Sequence, residues 1–127
     1  MIKLYSNESL LTAIELALKH KLYVPGWELK NTLEGSIDFI KESLEDGDEI
    51  NIHIALFFEQ NIPVGIIFTR TFDMETQFFV KENFRRKGIA TALSHEIYKI
   101  IGEPLNVYQG SDASYHFYQT LDFLQAH

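Results

Sequence analysis

The sequence predicts a mixed α/β (α+β) fold, built as a single domain over residues 1–127. Apolar residues recur at helical spacing in the first third of the chain, and from Ile50 their spacing changes to two, as in strands with one buried face. A strand, a basic turn and a helix then follow one another from Glu75 onward. The predicted order is β-α-α-β-β-β-α-β-α, in which an antiparallel meander precedes a parallel β-α-β unit.

The N-terminal third is predicted to hold one short strand and two helices. The strand covers Ile2–Tyr5, and Ser6-Asn7 caps a helix that runs from about residue 8 to about residue 20. Ser36 is predicted to cap the second helix, which ends at Gly47 and places Ile37, Ile40 and Leu44 on one stripe. The residues from Trp27 to Ser36 are interpreted as a loop between the two helices.

The central part alternates as strands do. One strand begins at Ile50, a turn at residues 60–63 leads to a second over residues 64–69, and a third covers residues 75–80. A helix from about residue 86 to about residue 101 is predicted next, followed by a strand over residues 105–108 and a last helix from Ser111 to about Leu121. The apolar stripe of the first of these helices consists of Ile89, Leu93, Ile97 and Ile100.

Composition excludes several classes of function. The chain has no cysteine, which removes disulfides, thiolate metal sites and a cysteine nucleophile. A net charge of −7 disfavours binding to nucleic acids. The five histidines have no metal-binding spacing, so no metal is expected. The N-terminus lacks a signal-peptide pattern and no apolar run is long enough to cross a membrane, so a soluble, cytoplasmic protein is expected.

The most informative segment is a basic turn between a strand and a helix. It contains Arg85, Arg86 and Lys87, followed by Gly88 and, two positions later, Ala90. The first amides of a helix lack partners within the helix and carry a partial positive charge, so they favour anions. Glycine allows a phosphate to approach the backbone closely. A solvated basic turn with no ligand is the alternative interpretation, because short motifs often match by accident.

Residues 80–93 resemble motif A of the GNAT superfamily of N-acetyltransferases, V-x-P-x-x-[RQ]-x-x-G-x-[GA]-x-x-L. The matching residues are Val80, Arg85, Gly88, Ala90 and Leu93, whereas Glu82 replaces the proline. A second GNAT signature near the C-terminus is similar to residues 111–123. Its matching residues are Phe117, Tyr118, Leu121 and Phe123; Ser111, Ser114 and Asp122 stand where the family has Asn, Ala and Gly.

This resemblance implies transfer of an acetyl group from acetyl-CoA to a primary amine of a small molecule or a protein. It implies that backbone groups of the strand before the turn bind the pantetheine arm, that the turn binds the pyrophosphate, and that Ser111 contacts CoA. The implied cofactor-binding residues are Phe78, Phe79, Val80, Arg85, Arg86, Lys87, Gly88, Ile89, Ala90, Thr91 and Ser111. Tyr118 corresponds to the general acid that protonates the CoA thiolate, since a phenol stays protonated at neutral pH.

The glutamates that serve as the general base in many GNAT members are absent from this chain. GNAT members carry the glutamate at one of two positions, which in this chain are occupied by Thr76 and Asn106. Neither side chain accepts a proton at neutral pH. Glu75 is the candidate base, although in a strand it points to the face opposite Thr76. A water chain, or an amine of low pKa, would remove the need for a base. A catalytically degenerate module that binds CoA or a protein partner is the alternative function.

Two further expectations concern the acceptor side and the oligomeric state. The segment from Trp27 to Ser36, together with Tyr23, is expected to line the acceptor side of the cleft. GNAT members usually add two strands after the second signature, but only four residues follow Phe123 here. An uncovered last strand would leave an unpaired edge, so a homodimer or a partner protein is expected to cover it.

Overall fold

The computed structural model describes residues 1–72, 75–102, 105–107 and 124–126, the last two ranges as backbone only. The strands are β1 (Ile2–Ser6), β2 (Ile52–Glu59), β3 (Ile62–Arg70), β4 (Glu75–Val80), β5 (Leu105–Val107) and β6 (Leu124–Ala126). The helices are α1 (Leu10–Lys19), α2 (Glu28–Asp46) and α3 (Ile89–Ile101), and 3-10 turns cover Asn7–Ser9 and Glu82–Phe84. None of the helices in the described ranges is long and apolar enough to cross a membrane.

The six strands form one sheet in the order β1-β2-β3-β4-β5-β6. Strands β1 to β4 pair antiparallel, and β4 pairs parallel with β5 across the α3 crossover. The predicted meander followed by a parallel β-α-β unit is therefore confirmed. Gln60 and Asn61, both at positive φ, form the two-residue turn between β2 and β3, a conformation that matches the twist of a hairpin.

Helices cover both faces of the sheet. Helices α1 and α2 pack on one face, where Ile52, Ile54 and Leu56 of β2 are buried. Helix α3 packs on the other face against Ala55, Ile67 and Val80 among others. The alternation predicted for β2 is thus confirmed, with Ile50 and the half-buried Phe58 on the α1/α2 side.

Helix α2 begins eight residues before the predicted start at Ser36, so the loop expected from Trp27 to Ser36 is wrong. Leu29 and Leu33 are buried one turn apart and extend the predicted stripe of Ile37, Ile40 and Leu44 towards the N-terminus. The Ser36 hydroxyl donates to the Thr32 carbonyl at 2.7 Å, so it bonds back into the helix instead of capping it. Burial of two leucines outweighs the cost of about 1 kcal/mol for a glycine at position 35 in a helix.

Helix α3 begins later than predicted and its stripe differs at one position. Arg86 and Gly88 have positive φ values of 65° and 77°, which keep the chain non-helical until Ile89. Ile100 is 47% exposed, contrary to the prediction, and the half-buried Ile101 packs against the α3-side core in its place. The buried stripe of α3 therefore continues from Ile97 to Ile101, four residues later, and not to Ile100. Gly102, at φ 76°, follows the last helical residue, Ile101, so the helix ends where the sequence predicts.

A sixth strand was not predicted. Residues 124–126 pair parallel with residues 105–107, so β6 covers the outer edge of β5. The sheet edge is therefore β6, whereas the homodimer was predicted from an exposed β5. The homodimer stays a prediction. The expected last helix, from Ser111 to about Leu121, lies outside the described residues.

Candidate functional site

The turn between β4 and α3 brings the predicted anion-binding residues together at the helix N-terminus. The left-handed Arg86 and Gly88 fold the chain back sharply between Arg85 and Ile89. The amide of Ala92 donates to the Gly88 carbonyl at 3.0 Å and forms the first bond of the helical ladder. The amides of Ile89, Ala90 and Thr91 precede that bond, and such amides point out of the helix end as donors.

Open space lies over this helix end. Among the described residues, a Cβ atom built on Gly88 would have no atom within 4 Å beyond its own chain neighbours, and Arg85, Arg86, Lys87 and Gly88 are all exposed. A small anionic group has room there to approach the backbone. The residues present therefore fit a pyrophosphate through amide donors, a partial positive charge and adjacent cations.

The basic side chains of the turn have different roles. Arg85 Nε donates to the Val80 carbonyl at 2.8 Å, and its guanidinium carbon lies 5.6 Å from the centre of the Phe79 ring. Arg85 therefore ties the turn to the end of β4. Lys87 Nζ lies 5.4 Å from the centre of the Phe84 ring. The side chain of Ile89 is buried, so only its backbone faces the helix end.

Gly65 is a structural residue of this site that the sequence pattern does not reveal. It lies in β3 opposite Val80, directly beneath the first turn of α3. A Cβ atom at this position would lie 3.0 Å from Ile89 Cγ2, 3.4 Å from Leu93 Cδ1 and 3.5 Å from Val80 Cγ2. A glycine inside a strand often marks such a close approach. Gly65 therefore lets the N-terminus of α3 pack directly on the strand that leads into the turn.

The predicted strand residues lie on both faces of β4. Phe78 and Val80 pack on the α3 side, and Phe79 packs on the α1/α2 side. All three are buried or half-buried. The described pairing between β4 and β5 runs through Glu75 and Thr76, at the end of β4 farther from the turn.

Glu75 forms an ion pair with Arg70, its cross-strand partner in β3. The two side chains are 26% and 36% exposed, respectively. The next residue on the same face, Gln77, is buried and its Nε2 donates to Thr32 Oγ1 of α2 at 2.9 Å. The structure thus places Glu75 on the face covered by α1 and α2, at the start of β4.

Thr76 occupies the position at which many GNAT members have a glutamate. It is fully buried, and its hydroxyl is 3.0 Å from that of Thr69, which is also fully buried. The two hydroxyls form a cross-strand pair on the α3 face. A threonine hydroxyl keeps its own proton at neutral pH and does not take up a second one, so Thr76 cannot act as a general base in place of a carboxylate.

Two predicted site residues, Tyr118 and Ser111, lie outside the described residues. Within the described ranges, no three His, Asp or Glu side chains are grouped as a metal site would require. Five exposed carboxylates lie at the end of α2 and just after it. They are Glu42, Glu45, Asp46, Asp48 and Glu49.

Comparison with solved structures identifies this arrangement of sheet, turn and helix. The aminoglycoside N-acetyltransferase AAC(6')-Iy in complex with CoA superposes with a TM-score of 0.65 at 15% identity, covering 100% of this chain and 89% of that one. The PaiA N-acetyltransferase from Thermoplasma acidophilum in complex with coenzyme A gives 0.58 at 20% identity, with coverage of 94% and 87%. The chain has the fold of the GNAT N-acetyltransferases. A possible acetyltransferase from Clostridium difficile 630 gives 0.57 at 17% identity, with coverage of 98% and 90%.

The sequence resemblance to GNAT proteins is therefore confirmed at the level of the fold. No family model and no curated protein sequence matches the chain. In the GNAT fold of this chain, the basic turn lies between the fourth strand and the helix that crosses to the fifth, as the motif predicts.

Proposed function

We propose that the protein transfers an acetyl group from acetyl-CoA to a primary amine. The observation that carries this proposal is the turn at residues 85–88, which places an exposed glycine and three exposed basic side chains next to the N-terminus of α3. The GNAT fold supports it, because two of the structural neighbours were solved with CoA.

Acetyl-CoA is the substrate that this turn fits. We expect the pyrophosphate to accept hydrogen bonds from the amides of residues 86–91, with Arg86 and Lys87 supplying charge. The pantetheine arm is expected to run along the backbone of Phe78, Phe79 and Val80, towards the end of β4 where β5 pairs. Arg85 holds the Val80 carbonyl and so fixes the angle between strand and turn.

The proposed chemistry is direct attack, because a chain without cysteine offers no thiol for an acyl-enzyme. The ammonium ion first gives up one proton to a base, because only the neutral amine is a nucleophile. The amine nitrogen then forms a bond to the thioester carbonyl carbon, and the carbon–sulfur bond breaks. The departing thiolate takes a proton from the Tyr118 phenol, and the second proton that the nitrogen loses restores that phenol, directly or through water.

Glu75 is the candidate base, and its surroundings set its role. Its carboxylate is paired with the Arg70 guanidinium. An acceptor amine would have to approach the carboxylate beside that guanidinium, directly or through a water. The net charge of −7 also attracts amines, which are cationic at neutral pH.

The acceptor is proposed to approach on the α1/α2 side, where Tyr23 is half-buried and Glu28, the first residue of α2, is exposed. Trp27 is 46% exposed immediately before α2, and Lys30 Nζ lies 5.5 Å from the centre of the Tyr23 ring. This side is helical rather than the loop that the sequence predicts, so the acceptor would meet a helix end.

Release of free CoA thiol, measured with a panel of amines and proteins, tests the proposal. Tyr118→Phe should lower turnover at least tenfold while acetyl-CoA binding persists, and Glu75→Gln should lower turnover with a pH profile that differs from the wild type. Tyr98→Phe and Glu59→Gln are the matched controls and should retain activity. Unchanged turnover in Tyr118→Phe would refute the assignment of the acid.

A CoA-binding module without turnover is the second candidate. It is favoured by Thr76 in place of the usual glutamate and by the engagement of Glu75 with Arg70. Binding of acetyl-CoA without thiol release from any amine of the panel would support this function and refute the first.

A further inference from the structure

A cavity lies at the opposite end of α3 from the basic turn. Its volume is about 390 Å³, and it opens between the end of β1, the start of β2, the end of β3 and the last turn of α3. The lining residues are Ser6, Asn7, Glu49, Ile50, Asn51, His53, Thr71, Ile100 and Ile101. Cavities of about 300 Å³ and above bind small organic ligands in other proteins.

This cavity is separate from the proposed acetyl-CoA site. Helix α3 has 13 residues, which at 1.5 Å each places its two ends about 20 Å apart. The cavity also lies on the β1–β3 side of the sheet, whereas the turn follows β4. A ligand in the cavity would therefore not overlap the pyrophosphate position.

The walls of the cavity favour a positive charge. Glu49 is the charged side chain among its lining residues, and none of those in the described part of the chain is Lys or Arg. The last carbonyl groups of α3 carry partial negative charge at this end. Lys99, in the same helical turn, has its Nζ 3.1 Å from Glu96 and does not line the cavity.

The neutral lining residues suit a ligand with one polar end and one apolar body. Asn7, Asn51 and Thr71 have oxygen acceptors, and the backbone bond from the Thr71 amide to the Asn51 carbonyl at 2.9 Å joins two walls. Burial lowers the pKa of His53 from its ordinary value of 6.5, so its ring is neutral at pH 7 and does not repel a cation. Ile100 and Ile101 supply apolar surface.

We propose that this cavity binds a small organic ammonium compound whose ammonium group faces Glu49 and whose apolar body lies against Ile100 and Ile101. The volume corresponds to roughly a dozen waters at about 30 Å³ each, so the ligand has on the order of ten non-hydrogen atoms. The site is distinct from the acceptor subsite of the proposed reaction, and it does not depend on that reaction.

Benzylammonium is the probe, and its binding is measured by calorimetry on the full chain with benzyl alcohol and benzoate as the uncharged and anionic analogues. We expect saturable binding of benzylammonium, weaker binding of the alcohol and no binding of benzoate. Glu49→Gln should weaken benzylammonium binding roughly three- to tenfold, because Glu49 is exposed and its charge is screened. Glu42→Gln, an exposed carboxylate on α2 outside the cavity, should leave it unchanged.

A second variant tests the place of binding. Ile100→Trp should fill the cavity and abolish benzylammonium binding, and the side chain is exposed enough for the fold to tolerate it. Gly88→Asp should leave benzylammonium binding intact, which separates this site from the acetyl-CoA turn. The proposal is overturned by absent binding at millimolar benzylammonium, by equal binding of benzoate, or by an unchanged dissociation constant in both Glu49→Gln and Ile100→Trp.

Discussion

Replacing Gly65 by alanine tests how closely α3 packs on the sheet. The new Cβ atom would lie 3.0 Å from Ile89 Cγ2 and 3.4 Å from Leu93 Cδ1. Ile89 is β-branched and stands at the first position of the helix, where its side chain has little rotamer freedom. We therefore expect the close contact to be relieved by a shift of a few tenths of an ångström of the helix N-terminus away from β3.

Two opposing effects determine how much Gly65→Ala changes the free energy of unfolding. Alanine in place of glycine stabilises a protein by about 0.4–1 kcal/mol when the site has room, because the unfolded chain loses entropy. Overpacking a close contact costs about 1–3 kcal/mol. The net loss for Gly65→Ala should be about 1–2 kcal/mol, which corresponds to a fall in melting temperature of about 4–8 °C for a chain of this length. Acetyl-CoA should also bind several-fold more weakly, because the turn moves with the helix.

Differential scanning calorimetry shows whether Gly65→Ala lowers or raises the melting temperature, with Gly35→Ala as the matched control. Gly35 lies on the exposed side of α2, where no described atom outside the local helix backbone is within 4 Å of a built Cβ, so alanine there should stabilise the helix by about 1 kcal/mol. Ile89→Ala removes the clashing methyl group, and the double variant should lose less stability than the two single losses together. A melting temperature raised by Gly65→Ala, as by Gly35→Ala, would refute the close packing.

Three further predictions concern stability, pH and assembly. Thr76→Val removes one hydroxyl of the fully buried pair with Thr69 and should cost about 1–2 kcal/mol in urea unfolding, whereas a change within error would show that the pair contributes nothing. Because burial lowers the pKa of His53, the unfolded chain takes up a proton at a higher pH than the folded protein does, and the free energy of unfolding should fall as pH drops from about 7.5 to about 5.5. His53→Gln should make this dependence on pH less steep, and an unchanged dependence would contradict the role of His53. Light scattering after size exclusion should show a homodimer at micromolar concentration, and a clean monomer would count against it.

Where hydrophobic periodicity was long and regular, the sequence predicted the fold closely. The strand over residues 75–80 has the predicted bounds, and the period-two pattern of β2 sorted its side chains correctly to the two faces. The start of α2 was mistaken because Ser36 has the composition of a cap, yet its hydroxyl bonds back to Thr32. A serine caps a helix only where the backbone at that residue is non-helical, and the residue type alone does not determine the backbone conformation.

The candidate site shows the same division. The position of the turn at residues 85–88 could be predicted because a basic, glycine-containing segment follows one apolar pattern of strand spacing and precedes another of helical spacing. Its binding of an anion stays a prediction. Gly65 could not be predicted, since its role depends on contacts with Ile89 and Leu93, which are 24 and 28 positions away in the sequence. The ion pair between Arg70 and Glu75 was likewise hidden, because it depends on the register between β3 and β4.

The measurement that tests the central claim most directly is the melting temperature with and without acetyl-CoA. At a concentration near 100 times the dissociation constant, linkage stabilises the protein by about 2.7 kcal/mol, which should raise the melting temperature by about 8–14 °C. Gly88→Asp should abolish this rise by filling the open space over the turn, whereas Gly102→Asp, a glycine of equal positive φ at the other end of α3, should retain it. No rise in the wild-type protein, or an equal rise in Gly88→Asp, would contradict the assignment of the turn as the pyrophosphate site.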